Sequence, residues 1–181
     1  MTKKFWAILI IAFIFLSEGK IFAAKVFNNA DAFMSLPFGH TYSRTQKRME
    51  NSGAVVVTPR KETLTMSGMF EGYPATFIFG FHKNKILKTK SVYLQSMGNK
   101  EYDEKFYEAL QKAYKSKYGT VKETPGLNNR KAGKLILRNV WTPDRYTTIT
   151  LTYNPEASKR FPGSSLSERF IQVIYKYDKW D

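Results

Sequence analysis

Two groups of side chains in this 181-residue chain have the types and spacing from which chemistry could be built. The first is the acidic triplet Glu101, Asp103 and Glu104, since paired carboxylates can serve as acid and base in a hydrolysis. Their position in the first turn of a predicted helix explains them as well, through attraction to the positive end of the helix dipole. The second is the pair of histidines, His40 and His82. Zinc usually takes three or four protein ligands, and neither histidine has a second histidine or an acid at helical spacing. Roles at a turn or a sheet edge are therefore expected. Nucleophile motifs fail in the same way. Gly-x-Ser-x-Gly does not occur, and Ser17 to Lys20, the one Ser-x-x-Lys, falls inside a predicted leader. Gly133-Lys134 lacks the earlier glycine and the following Ser or Thr of a phosphate loop. With no cysteine, disulfides, thiolate nucleophiles and thiolate metal sites are excluded. The expectation is a protein without catalytic, cofactor or metal residues, one that is not an enzyme.

Cations beside aromatic rings are the remaining candidates. The stretch "GYPATFIFGFHKNKILKTK", residues 72–90, joins Tyr73, Phe77, Phe79 and Phe81 to Lys83, Lys85, Lys88 and Lys90. Such a stretch is either a surface for a polyanion or a hairpin with one apolar face. Strict alternation places Phe77, Phe79 and Phe81 on one face of a strand, with Thr76, Ile78 and Gly80 on the other. Past the turn, Lys88, Lys90, Val92 and Leu94 share one face, and Leu87, Thr89, Ser91 and Tyr93 the other. The phenylalanines are best explained as core, because a nucleic-acid platform needs its rings exposed. Lys159, Arg160, Phe161 and Arg169 form a second cluster near a polar loop. Trp141 and Trp180 suit either a surface anchor or the core. The residues expected to meet a partner are Lys83, Lys85, Lys88, Lys90, Trp141, Lys159, Arg160, Phe161 and Arg169.

The elements that must position these residues begin after an export signal. Lys3 and Lys4 precede an unbroken apolar run from Phe5 to Leu16, and Ile21-Phe22-Ala23-Ala24 offers small residues for cleavage. The run is too short for a bilayer core, which needs about 20 residues. Residues 1–23 are read as a cleaved signal peptide and 24–181 as one α+β domain, periplasmic or secreted, with no lipid anchor or transmembrane helix. Loss of Lys3, Lys4, Lys20 and Glu18 lowers the formal charge from +14 to +12. Charge of that size favours anionic headgroups, lipopolysaccharide, wall polymers, nucleic acid or acidic proteins.

Within the domain, Thr41 or Ser43 can cap a short helix that stops at Gly53, and Ser43 with Gln46 has capping-box spacing. Four strands follow, "AVVVT", "ETLTMSGMF", "ATFIFGFH" and "KILKTKSVYLQ", whose short connections imply antiparallel pairing. A long amphipathic helix comes next, capped by Asn99 and ended by Gly119. Tyr102, Phe106, Ala109, Leu110, Ala113, Tyr114 and Tyr118 are expected near one face. "KLILRNVW", "YTTITLTY" and "FIQVIYKY" read as three more strands, with Pro155 to Ser167 a flexible excursion. Helices segregated from runs of strands predict an antiparallel sheet covered on one face, with half-repeats near 37–95 and 99–177.

"LPFGHTYS", "GYPATFIFGFHKNKI", "YKSKYG" and "WTPDRYTTITLTY" together resemble the helix-plus-sheet modules of exported bacterial proteins. The nearest in style are the SmpA/OmlA (BamE) outer-membrane assembly lipoproteins and the β-lactamase-inhibitor proteins. The resemblance implies a tandem module that binds another protein. This chain has neither the lipid-bearing cysteine of the first nor the disulfides of the second. The expected partner is another envelope or extracellular protein, with an anionic polymer or lipid headgroups the alternative, and no metal.

Overall fold

Two side-chain caps start the longer helices. Thr41 Oγ1 accepts from the Arg44 amide at 3.4 Å, and Asn99 Oδ1 accepts from the Tyr102 amide at 3.2 Å. Each satisfies an amide that a helix start would otherwise leave open. Gly119 ends the long helix at φ 80°, a conformation that glycine adopts freely. A computed structural model describes residues 28–82, 86–96, 98–123, 137–158 and 168–179.

The fold is α+β. Helices α1 (Ala30–Met34) and α2 (Tyr42–Asn51) lead into β1 (Val55–Pro59), β2 (Thr63–Phe70), β3 (Tyr73–Phe81) and β4 (Leu87–Gln95). Helix α3 (Lys100–Tyr118) leads into β5 (Lys122–Glu123), β6 (Leu137–Trp141), β7 (Thr147–Ser158) and β8 (Glu168–Tyr177). The strands form one antiparallel sheet in the order β1-β2-β3-β4-β8-β7-β6-β5, so two meanders meet at a central β4–β8 seam.

Register makes the core legible as rows running across the strands. Leu64, Phe79, Lys90, Tyr175, Ile149 and Trp141 form one, and Met66, Phe77, Val92, Val173, Leu151 and Asn139 the next. Every member of both rows is buried. The helices cover this face with rings. Phe33 of α1 lies 5.4 Å from Phe77, Tyr107 of α3 stacks 5.3 Å from Tyr153, and Tyr114 sits 5.5 Å from Trp141.

Several expectations need correction. Helix α1 is too short for a periodic signal, yet it carries Phe33, fully buried. Helix α3 is rotated from the expected stripe, with Asp103, Tyr107 and Tyr114 buried while Tyr102, Ala109 and Ala113 are exposed. Polar partners set that rotation, since Asp103 takes the Ser96 hydroxyl and the Tyr107 hydroxyl meets Asn139. Strand β7 continues to Ser158 through an irregularity after Asn154, into the expected loop, while 159–167 lie outside the described residues. A register shift at Gly80/Phe81 places Leu87 opposite Phe81 and returns it to the core face.

Candidate functional site

The predicted partner residues do not gather into one place. Lys83, Lys85, Lys159, Arg160 and Phe161 lie outside the described residues. Lys88 is half-buried beside the β3–β4 irregularity. Arg169 is half-buried at the start of β8 and donates to the Gly98 carbonyl at 3.1 Å. Trp141 is a core residue, 1% exposed under Tyr114, and so cannot serve as a surface anchor. Trp180 lies outside the described residues.

Lys90 departs furthest from the expected lysine surface. It is 3% exposed, in phase with Val92 and Leu94 on the face the helices cover. Its Nζ donates to the carbonyls of Phe33 at 2.8 Å, Met34 at 3.0 Å and Leu36 at 2.8 Å, so all three ammonium protons are engaged. These carbonyls lie at and just past the end of α1, where helix carbonyls run out of internal partners. The same nitrogen stands 5.3 Å from the Phe33 ring centroid, 5.8 Å from Phe38 and 5.0 Å from Tyr175. Burial pushes the amine down to about 7, with Lys117 and Arg48 adding repulsion. Carbonyl oxygens and ring faces pull the other way, because both favour the charged form. Lys90 therefore fastens α1 to the sheet. Behind it, the Tyr114 and Tyr175 hydroxyls meet at 2.6 Å, and the Tyr175 hydroxyl lies 3.0 Å from Met34 Sδ. Burial raises both phenols.

The acidic triplet is divided. Glu101 pairs with Lys105 at 2.7 Å and Glu104 with Lys100 at 3.6 Å, both on the surface. Asp103 is buried, one oxygen accepting from Ser96 while Oδ1 has no partner among the described residues. Nearby, the Tyr153 phenol is pushed up to about 12 by burial and then by Glu104 and Asp103. His40 is half-buried, its pKa lowered by burial, then by Arg48 and Arg44. Among the described residues no three His, Asp or Glu side chains come together as a metal site requires.

Among the described residues, no helix packs on the rows that register defines on the other face of the sheet. One row runs Val55, Ser67, Thr76, Tyr93, Gln172, Thr152 and Arg138; the next includes Thr65, Ile78, Ser91, Ile174, Thr150 and Val140. Thr150 is buried; the other members of both rows are partly or fully exposed. Tyr93 lies 6.1 Å from Phe170 on this face. The face thus offers hydroxyls, an amide and a few apolar groups, with Arg138 and Lys176 among its cations.

A scan against protein-family models and searches of curated proteins and of solved structures found no match. The functional reading therefore stands on this geometry. Among the described residues no helix is long and apolar enough to cross a membrane. Sequence reasoning missed the burial of Lys90, although its place in the phase of Val92 and Leu94 was the available signal.

Proposed function

We propose that this is an exported binding protein that engages another envelope or extracellular protein through the helix-free face of its sheet, without chemistry of its own. The observation that carries this reading is the row from Ser67 to Arg138, a partly exposed surface of hydroxyls, an amide and a tyrosine on rigid paired strands. Seven strands at about 4.8 Å spacing, over about seven residues of strand, give a face on the order of 700 Å². A standard protein interface takes about 800 Å² from each partner. Hydroxyls, amides and aromatic rings suit a polar contact with an apolar centre, here Tyr93, Phe170, Ile78 and Ile174. The resemblance to tandem binding modules points the same way.

A photocrosslinking residue at Thr76 or Thr152, compared with one at Glu108 on the helix side, tests the reading. Crosslinks to one protein from the sheet positions, retained at high salt and absent from position 108, are expected. Equal labelling from both sides, or none from the sheet, refutes it.

A further inference from the structure

We propose that the opposite, helix-bearing side of the molecule docks on an anionic bilayer surface through α2 and the C-terminal half of α3. This is a second surface, independent of the sheet face. Charge is segregated along the helices. The first half of α3 neutralises its lysines, pairing Lys100 with Glu104 and Lys105 with Glu101. Beyond Glu108 the helix carries Lys112, Lys115 and Lys117 and no acid. Helix α2 carries Arg44, Lys47 and Arg48 against a single acid, Glu50, which accepts from the Gln46 amide. All six cations are exposed, and none has an ion-pair partner among the described residues. The two helices contribute to one field, since Arg48 of α2 and Lys117 of α3 both bear on Lys90 between them, and Arg44 and Arg48 both bear on His40.

Unneutralised cations gathered on one side of the sheet repel one another, as Arg48 and Lys117 both repel Lys90, so an anionic partner relieves a cost already present in the free protein. Long arginine and lysine stems on exposed helix positions reach headgroup phosphates, and Lys112 and Lys115 line a cavity of about 530 Å³ with Gln111, Thr120 and Val121 at the end of α3. A single-stranded nucleic acid would need ring faces on which to stack its bases. Rings on this side are already occupied: Tyr42 against Phe81 at 5.0 Å, Tyr118 on Tyr114 at 5.8 Å, and Phe38 on Tyr177 at 5.1 Å. The bilayer is the partner that this surface fits.

The test uses residues 24–181, which contain every described helix and strand, sedimented with vesicles of phosphatidylglycerol and phosphatidylcholine or of phosphatidylcholine alone. Binding to the anionic vesicles only, weakening with salt, is expected. Each basic side chain near an anionic surface contributes about a fivefold factor. Lys112→Gln/Lys115→Gln/Lys117→Gln should therefore lower partitioning about 100-fold, and Arg44→Gln/Arg48→Gln about 25-fold. Lys100→Gln/Lys105→Gln removes two charges at the paired end and should change it by less than about twofold. Three results overturn the proposal: equal binding to both vesicles, as large a loss in the Lys100/Lys105 variant, or removal of the protein from vesicles by duplex DNA at equal phosphate concentration. Arg48 donates to Ser35 Oγ at 2.8 Å, whereas the three lysines keep only the ring contact of Lys117 with Tyr118 at 5.3 Å among the described residues, so the triple lysine variant keeps the outcome readable if the arginine variant unfolds.

Discussion

The native protein is expected to gain stability as pH rises from about 7 to 9.5, and replacing Lys90 with methionine should abolish that rise. The folded-state amine is held down at about 7, against an ordinary value of 10.5. Between those two values the unfolded chain binds this proton and the folded chain does not, so stability increases as pH rises through the window. Below 7 both states are protonated and the contribution is flat at its lower level. The full interval corresponds to about 5 kcal/mol, at about 1.36 kcal/mol per pH unit. Above pH 7 the neutral amine keeps two N–H donors for the three carbonyls that the ammonium satisfies, so the carbonyl oxygens and ring faces oppose part of this gain, and the interval to pH 9.5 captures only part of the window. A gain of about 2 kcal/mol is therefore the expected observation. Urea unfolding followed by the fluorescence of buried Trp141, at steps from pH 7 to 9.5, measures it. Lys90→Met has no proton to lose there and should give a flat profile. It also leaves the carbonyls of Phe33, Met34 and Leu36 without their donor, so hydrogen exchange should accelerate in α1 before the sheet opens. An unchanged slope in the variant would refute the claim that this amine is buried as described.

Three further outcomes follow from the same structure. A Cβ at Gly68 would lie 2.1 Å from Asn29 Oδ1, which accepts from the Met69 amide at 2.7 Å while Nδ2 donates to the Ser52 carbonyl at 2.7 Å. Gly68→Ala should cost about 2 kcal/mol in urea unfolding, and far less when made on top of Asn29→Ala, because the clashing atom is then gone. Above pH 10 the trend of stability reverses. Burial pushes Tyr73 and Tyr107 up to about 12, so the unfolded chain loses these protons first and stability falls as pH rises from 10 to 12. Tyr107→Phe in the Lys90→Met background should make that fall shallower without removing it, since Tyr73 and Tyr153 still titrate. The rotation of α3 is checked by Tyr107→Ala, expected to cost about 3 kcal/mol, against Ala113→Lys, expected to stay within about 0.5 kcal/mol.

Much of the fold could be read from residue order because period and punctuation agreed. Alternation in β3 and β7 identified the buried faces, and Asn99 and Gly119 bounded α3. What could not be read depended on contacts distant in sequence. Five-residue α1 has no period to detect, and its place is fixed by Asn29, 40 residues from Met69, and by Lys90, 57 residues from Phe33. The stripe of α3 was misassigned because alanine counts as apolar in a pattern, whereas Asp103 and Tyr107 have polar partners waiting on the sheet side. Two-residue β5 is defined by its pairing with β6 alone. For the candidate site, cation–ring proximity in sequence groups Lys90 with the surface lysines, whereas the face it shares with Val92 and Leu94 is the one the helices cover.

The two proposed surfaces are separable for a reason built into the layering. A helix layer packs about 10 Å from the sheet beneath it. Exposed side chains add to that distance on both sides. At physiological ionic strength exposed charges are largely screened beyond about 8 Å, so Arg44 and Lys117 on one side act weakly on a partner held at Thr76 or Thr152 on the other. The faces also differ in kind. Hydroxyls and rings on paired strands reward a matching shape, while unpaired cations on helices reward charge density almost regardless of shape. A sheet covered on both faces could offer only the second kind of surface. A sheet whose described helices all lie on one face would, on the proposed reading, let one fold hold a protein on one side while resting on an anionic surface with the other, each side open to change without the other.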